Sequence, residues 1–218
     1  MTTSLLNSLL RALLRWGAAL VFCLPLRHRS HFWVRACGML FPLLLLAQLL
    51  DPLAQSTTLW QQQLLLLVLY VSFFALLGGM IYLCTDINKK GAMYCAVWSL
   101  LIAQCAYEGW CFLELYFSRH GHPLNMASPW AVLVQLLSGV VFFAAVYILL
   151  ARQLPYKGEY HIGPRQLFSA FFIGILFMVQ AAVLDNFRAE QFPRSVIATI
   201  LIGQFYFILS LIHISEPT

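Results

Sequence analysis

The stretch LLLLVLYVSFFALLGGMIYLCTDINKKGAMYCAVWSLLIAQCAYEGW, residues 64–110, decides the fold. It holds two apolar runs, Leu64 to Cys84 and Ala92 onward. Each matches the ~20 residues that a helix needs to cross the hydrocarbon core of a bilayer. Only a short polar junction carrying Asp86, Lys89 and Lys90 separates them. Neither run shows the short alternating segments of a membrane β-barrel. The stretch therefore reads as two neighbouring membrane helices joined by a charged turn.

The remainder of the chain extends this pattern. Of 218 residues, 61% are hydrophobic and 10% charged, against about 45–50% and about 25% in soluble domains. Breaking the sequence at charges, prolines and polar clusters predicts an all-α polytopic integral membrane bundle of about seven transmembrane helices. The spans fall at about 9–26, 32–50, 64–84, 92–116, 130–151, 167–186 and 195–212. Short loops leave no room for a soluble domain among them. Arg11 and Arg15 ahead of an apolar run imitate a signal peptide, but Pro25-Leu26-Arg27-His28-Arg29 is a poor cleavage site, so a first span is expected instead. The six cysteines lie in or beside apolar runs with no CxxC pair, as small packing residues do. The net charge of +5 calls for no nucleic acid, because basic residues in such a chain set its orientation in the lipid bilayer.

Alternate loops divide those basic residues unequally. Arg27, Arg29, Arg35, Lys89, Lys90, Arg152, Lys157 and Arg165 fall on one side, whereas Arg119, Arg188 and Arg194 fall on the other with Arg11 and Arg15. The richer side is predicted to be cytoplasmic, which puts the N-terminus outside and the C-terminus inside. Trp16, Trp60 and Trp130 then lie near outer span ends as interface anchors. Asp86, Lys89 and Lys90 form a cytoplasmic turn with a helix-capping and topological role. Arg11 and Arg15, four apart on one helix face, are expected to snorkel to the outer surface. The alternative is that residues 5–15 lie flat as an amphipathic helix.

Glu108 is the one clear carboxylate inside a span, with Gln104 one turn before it. An ionisable group at membrane depth costs several kcal/mol and marks a functional site or a cavity. Counted from Ala92 at 1.5 Å per residue, Glu108 stands roughly 24 Å along its helix, in the outer third of the membrane. It either contacts a ligand or is buried in helix packing, paired with an Arg or a Gln. Asp51, Glu114, Asp185 and Glu190 gather on the same predicted side. Gln104, Glu108 and Asp185 are therefore the candidate ligand-binding residues. Gln180 and Gln204 read as interhelical hydrogen-bonding groups, and Gly78-Gly79 as a point of close helix approach. There is no HExxH, P-loop, GxSxG or metal-ligand cluster, so neither a catalytic residue nor a cofactor or metal is expected from these residues.

Tyr82 to Trp110, YLCTDINKKGAMYCAVWSLLIAQCAYEGW, resembles a junction in the membrane sensor region of GHKL-type bacterial histidine kinases related to peptide-pheromone receptors. There an apolar helix ends in an Asp-containing turn, and the next opens on a small-residue, aromatic and Cys stretch with a Gln a dozen residues on. Asp86 and Gln104 occupy those places, while Cys105 stands where the family commonly has His. PLRHRSHFWVR (25–35) and RQLPYKGEYHIGPRQ (152–166) resemble the basic inner loops of the same proteins. The resemblance implies a sensor and anchor in a bacterial plasma membrane, a homodimer, and an extracellular ligand that is a peptide or small molecule. It further implies an ATP-dependent histidine kinase module beyond the last span, acting on a response regulator. The ending SLIHISEPT (210–218) resembles translated adapter read-through, so residues 1–209 are expected to be the sensor domain and the rest foreign. A small-molecule transporter, or the substrate-binding subunit of one, is the rival reading of the same Gln104 and Glu108.

Overall fold

The computed structural model describes residues 2–54, 59–119, 129–149, 151, 163–164, 167–168 and 170–175. Five helices run in order: α1 Thr2–Cys23, α2 Phe32–Ala54, α3 Leu59–Cys84, α4 Lys89–Arg119 and α5 Pro129–Leu149. Residues 170–175 are helical as well, and no strand occurs among the described residues. Among the described residues, three segments are long and apolar enough to cross a membrane, Leu67–Cys84, Lys89–Ser118 and Trp130–Leu149, and Phe32–Gln48 is a shorter apolar helix. The seventh predicted span and most of the sixth lie outside the described residues.

Outer helices are apolar on both faces, as membrane helices are. In α3, Leu69, Phe73, Leu77, Met80, Ile81 and Cys84 are buried, whereas Leu64, Leu67, Val68 and Val71 are exposed one face away. On α5 the exposed row is Trp130, Leu133, Leu137, Val140, Val141 and Ile148. Such a surface is at home against lipid tails and would be an aggregation hazard in water. Glycines set close approaches inside. A Cβ at Gly78 would stand 3.6 Å from the Ala96 Cβ, in ordinary contact, so α3 and α4 meet closely there, as the glycine pair leads one to expect. A Cβ at Gly174 would come within 3.1 Å of Val97, and Phe171 meets Phe74 edge-on at 5.3 Å, which seats 170–175 against α3 and α4.

The organising helix is α1. Not one side chain from Ser8 to Cys23 is exposed, and α1 touches each of the other four helices. Ala12, Ala18, Ala19 and Cys23 are wholly buried, small enough to let several neighbours approach at once. This departs from the surface-lying alternative for the N-terminal segment: its arginines are part-buried against Tyr107 of α4 and Phe73 of α3, and the helix lies at the centre of the described bundle. Trp16 is corrected too: half-buried, it donates its indole N–H to the Ala36 carbonyl at 2.7 Å, tying α1 to α2 rather than anchoring an interface.

The α1–α2 and α3–α4 connections meet at one end, as the alternate-loop assignment requires of loops on one membrane side. His28 and Thr85 form an antiparallel bridge, with Arg29 N–H donating to the Cys84 carbonyl at 3.0 Å and Asp86 N–H to the Arg27 carbonyl at 2.8 Å. Arg35 donates to the Leu83 carbonyl at 2.8 Å. The last carbonyls of α3, which have no intrahelical donor, are thus satisfied by basic residues, which also suit the negative end of the helix dipole.

The predicted role of Asp86 changes. The N-cap of α4 is Asn88, whose Oδ1 accepts from Gly91 N–H at 2.7 Å. A cap must reach the second or third amide of the first turn, and Asp86 stands two residues too early. Its carboxylate instead faces Arg29 at 3.8 Å, a solvent-exposed pair worth at most about 1 kcal/mol. Gly91 is required by the same turn: a Cβ there would lie 2.7 Å from Ile87 and 3.0 Å from Asn88 Oδ1. Gly91→Ala is expected to displace Ile87 and weaken the cap, lowering stability by about 1–3 kcal/mol, read as a reduced thermal midpoint in detergent.

Candidate functional site

Polar side chains of α1 form one stripe. Ser8, Arg11 and Arg15 recur at helical spacing, and in this bundle Ser8 is buried and both arginines are part-buried. Arg11 donates to the Tyr107 hydroxyl on α4 at 2.7 Å and lies 4.7 Å from the centre of the same ring. Arg15, one turn on, lies 3.9 Å from the ring centre of Phe73 on α3. Phe73 is 1% exposed, so this guanidinium is held well inside the bundle. Stacking on an aromatic face is worth from about 0.5 to 2 kcal/mol as the cation loses water. The planar guanidinium suits such a face better than a Lys ammonium does.

Helix register places further polar groups at this depth. Since α1 and α4 run antiparallel, the Arg11–Tyr107 contact puts Gln104 near the level of Arg15 and Trp110 near that of Ser8. A Cβ at Gly17 would come 3.0 Å from Phe143, and one at Gly139 would come 3.3 Å from Leu14. Thus α1 and α5 run in parallel, and Gln135 falls near the level of Leu10. Ser8, Gln104 and Gln135 are all buried. Gln135 Oε1 and Trp110 Nε1 in this layer are buried without a hydrogen-bond partner among the described residues. Buried polar atoms are nearly always satisfied, so an acceptor and a donor left over at one depth mark a place for water or a ligand.

The layer absorbs part of the sequence-predicted site. Gln104 is in it and buried. Glu108 belongs to α4 immediately after Tyr107, although its side chain is outside the described set, and Asp185 falls wholly outside the described residues. Asp86, Lys89 and Lys90 are at the clasped end, roughly 27 Å down α4 from Tyr107 at 1.5 Å per residue. Sequence reasoning missed Arg11, Arg15, Tyr107, Trp110 and Gln135. The available signal was the pairing of two cations in the first helix with a single carboxylate in the fourth, since membrane charges seek one another.

Comparison with protein-family models, with curated proteins and with solved structures finds no match for this chain. The site is read from its own chemistry.

Proposed function

We propose that the bundle is the membrane-embedded sensing and signal-transducing region of a two-component sensor histidine kinase, with the layer around Arg11 as its ligand-responsive element. The kinase half of this reading comes from the resemblance of Tyr82 to Trp110. The observation that carries the site is the Arg11 guanidinium on Tyr107 inside the bundle. Two guanidiniums from α1 give this layer positive charge, suited to the carboxylate or carbonyl groups of a peptide-like ligand reaching the layer from outside. Gln104, Glu108 and Asp185 complete the proposed binding set. Because α1 touches each of α2 to α5, a ligand that draws on Arg11 repacks several interfaces together. Its leverage equals its difference in affinity for the two packings. The positive-inside distribution supports a cytoplasmic clasp and a cytoplasmic C-terminal side, where a kinase module and its response regulator would act; the bacterial plasma membrane and the homodimer rest on the resemblance alone.

The same layer suits a transporter, since membrane ionisable groups also line substrate paths, and one experiment separates the two. The source gene is resequenced across codon 209, and its uninterrupted product is reconstituted in proteoliposomes. The expected result is ATP-dependent phosphate on a histidine, at a basal rate changed severalfold by Arg11→Gln. Accumulation of solute without phosphorylation would replace the sensor reading with the transporter.

A further inference from the structure

The clasped end gathers cations from two connections distant in sequence. Arg27, Arg29, Arg35, Lys89 and Lys90 stand together there, with Asp86 the one acid among the described residues, and that acid already faces Arg29. Arg29 and Arg35 are committed to the clasp, Arg29 through its backbone N–H and the Asp86 carboxylate and Arg35 through its guanidinium on the Leu83 carbonyl. Arg27, Lys89 and Lys90 are exposed and form no ion pair among the described residues. Lys89 and Lys90 open α4, at the helix end where the dipole disfavours cations and favours an anion. Capping and packing do not account for them.

Apolar side chains border this patch. Trp33 is 60% exposed and Val34 72% exposed at the start of α2, with Leu24 and Met93 exposed nearby. An exposed Trp beside cations, at the end of apolar helices, is the composition of a membrane interface, where an indole sits at headgroup level. We propose that this end of the bundle binds the headgroup of anionic phospholipids: Arg27, Lys89 and Lys90 take the phosphate, and Trp33 and Val34 lie along the first acyl carbons. The adjoining apolar surface favours a lipid over a soluble acidic partner. The inference requires only that the bundle be in a membrane and is independent of the kinase reading.

The test uses the full chain purified in neutral detergent. Phosphatidylglycerol, phosphatidylcholine, inorganic phosphate and poly-glutamate are titrated separately, with retained lipid counted by native mass spectrometry and the thermal midpoint followed in parallel. Each basic residue near an anionic surface contributes a factor of about five to binding. The variant Arg27→Gln/Lys89→Gln/Lys90→Gln is therefore expected to lose at least about tenfold in affinity for phosphatidylglycerol. Its melting in phosphatidylcholine should be unchanged, because these side chains are exposed. Equal retention of phosphatidylcholine, equal stabilisation by free phosphate, tighter binding of poly-glutamate, or full phosphatidylglycerol binding by the variant would each overturn the proposal.

Discussion

Arg11→Glu is expected to prevent the chain from accumulating as a folded, monodisperse species in detergent, while Arg11→Lys lowers its thermal midpoint only partway. The native guanidinium donates to Tyr107 at 2.7 Å while stacking on the same ring. A glutamate there would lose both contacts to Tyr107 and put an acid in place of a part-buried cation, and reversing a charge that the packing holds away from water costs up to about 3–5 kcal/mol. Lysine keeps the charge but cannot present a plane to the ring. Tyr107→Phe isolates the hydroxyl. Interhelical hydrogen bonds in membranes are worth about 0.6–1.7 kcal/mol, so it should cost no more than that. The exchange Arg11→Glu/Glu108→Arg tests the proposed charge balance: recovery of expression and of the monodisperse peak is the expected result. An Arg11→Glu protein as stable as the parent would remove the layer from any structural or signalling role.

Ala18→Leu/Ala19→Leu is the second large effect. Both alanines are fully buried in α1, and α1 contacts each of α2 to α5, so added side-chain volume has no outer surface to escape to. Overpacking a close-packed interior costs typically about 1–3 kcal/mol per site. Two adjacent positions on the central helix should lower the midpoint of denaturant unfolding beyond what either does alone. The control is Val141→Leu on α5, 68% exposed on the apolar outer face, which is expected to stay within about 0.5 kcal/mol of the parent. If the α1 pair behaved like the control, α1 would not be the centre of the bundle.

Long apolar helices, the polar junction between α3 and α4 and the sharing of one end by two basic connections were all legible before any coordinates. Apolar run length and charge placement report such things directly, because the bilayer penalises every buried charge and every broken run. The position of α1 was not legible. In water a polar stripe points outward, so Arg11 and Arg15 read as surface groups; in an apolar solvent that preference reverses, and the stripe turns toward protein. Asn88 as the α4 cap was also missed, since both Asp86 and Asn88 have capping chemistry and only the helix start at Lys89 selects between them.

By itself, the sequence determined an all-helical chain with helices long and apolar enough to span a membrane, and the meeting of its first two basic connections at one end. Which helix lies at the centre, and which cation meets which ring, were decided only by the tertiary structure. The physical reason is that helices apolar on every face carry no periodic signal for inside against outside. The choice falls to shape, to small residues such as Ala12, Ala18 and Ala19 that admit close neighbours, and to the few polar groups that must find each other away from lipid.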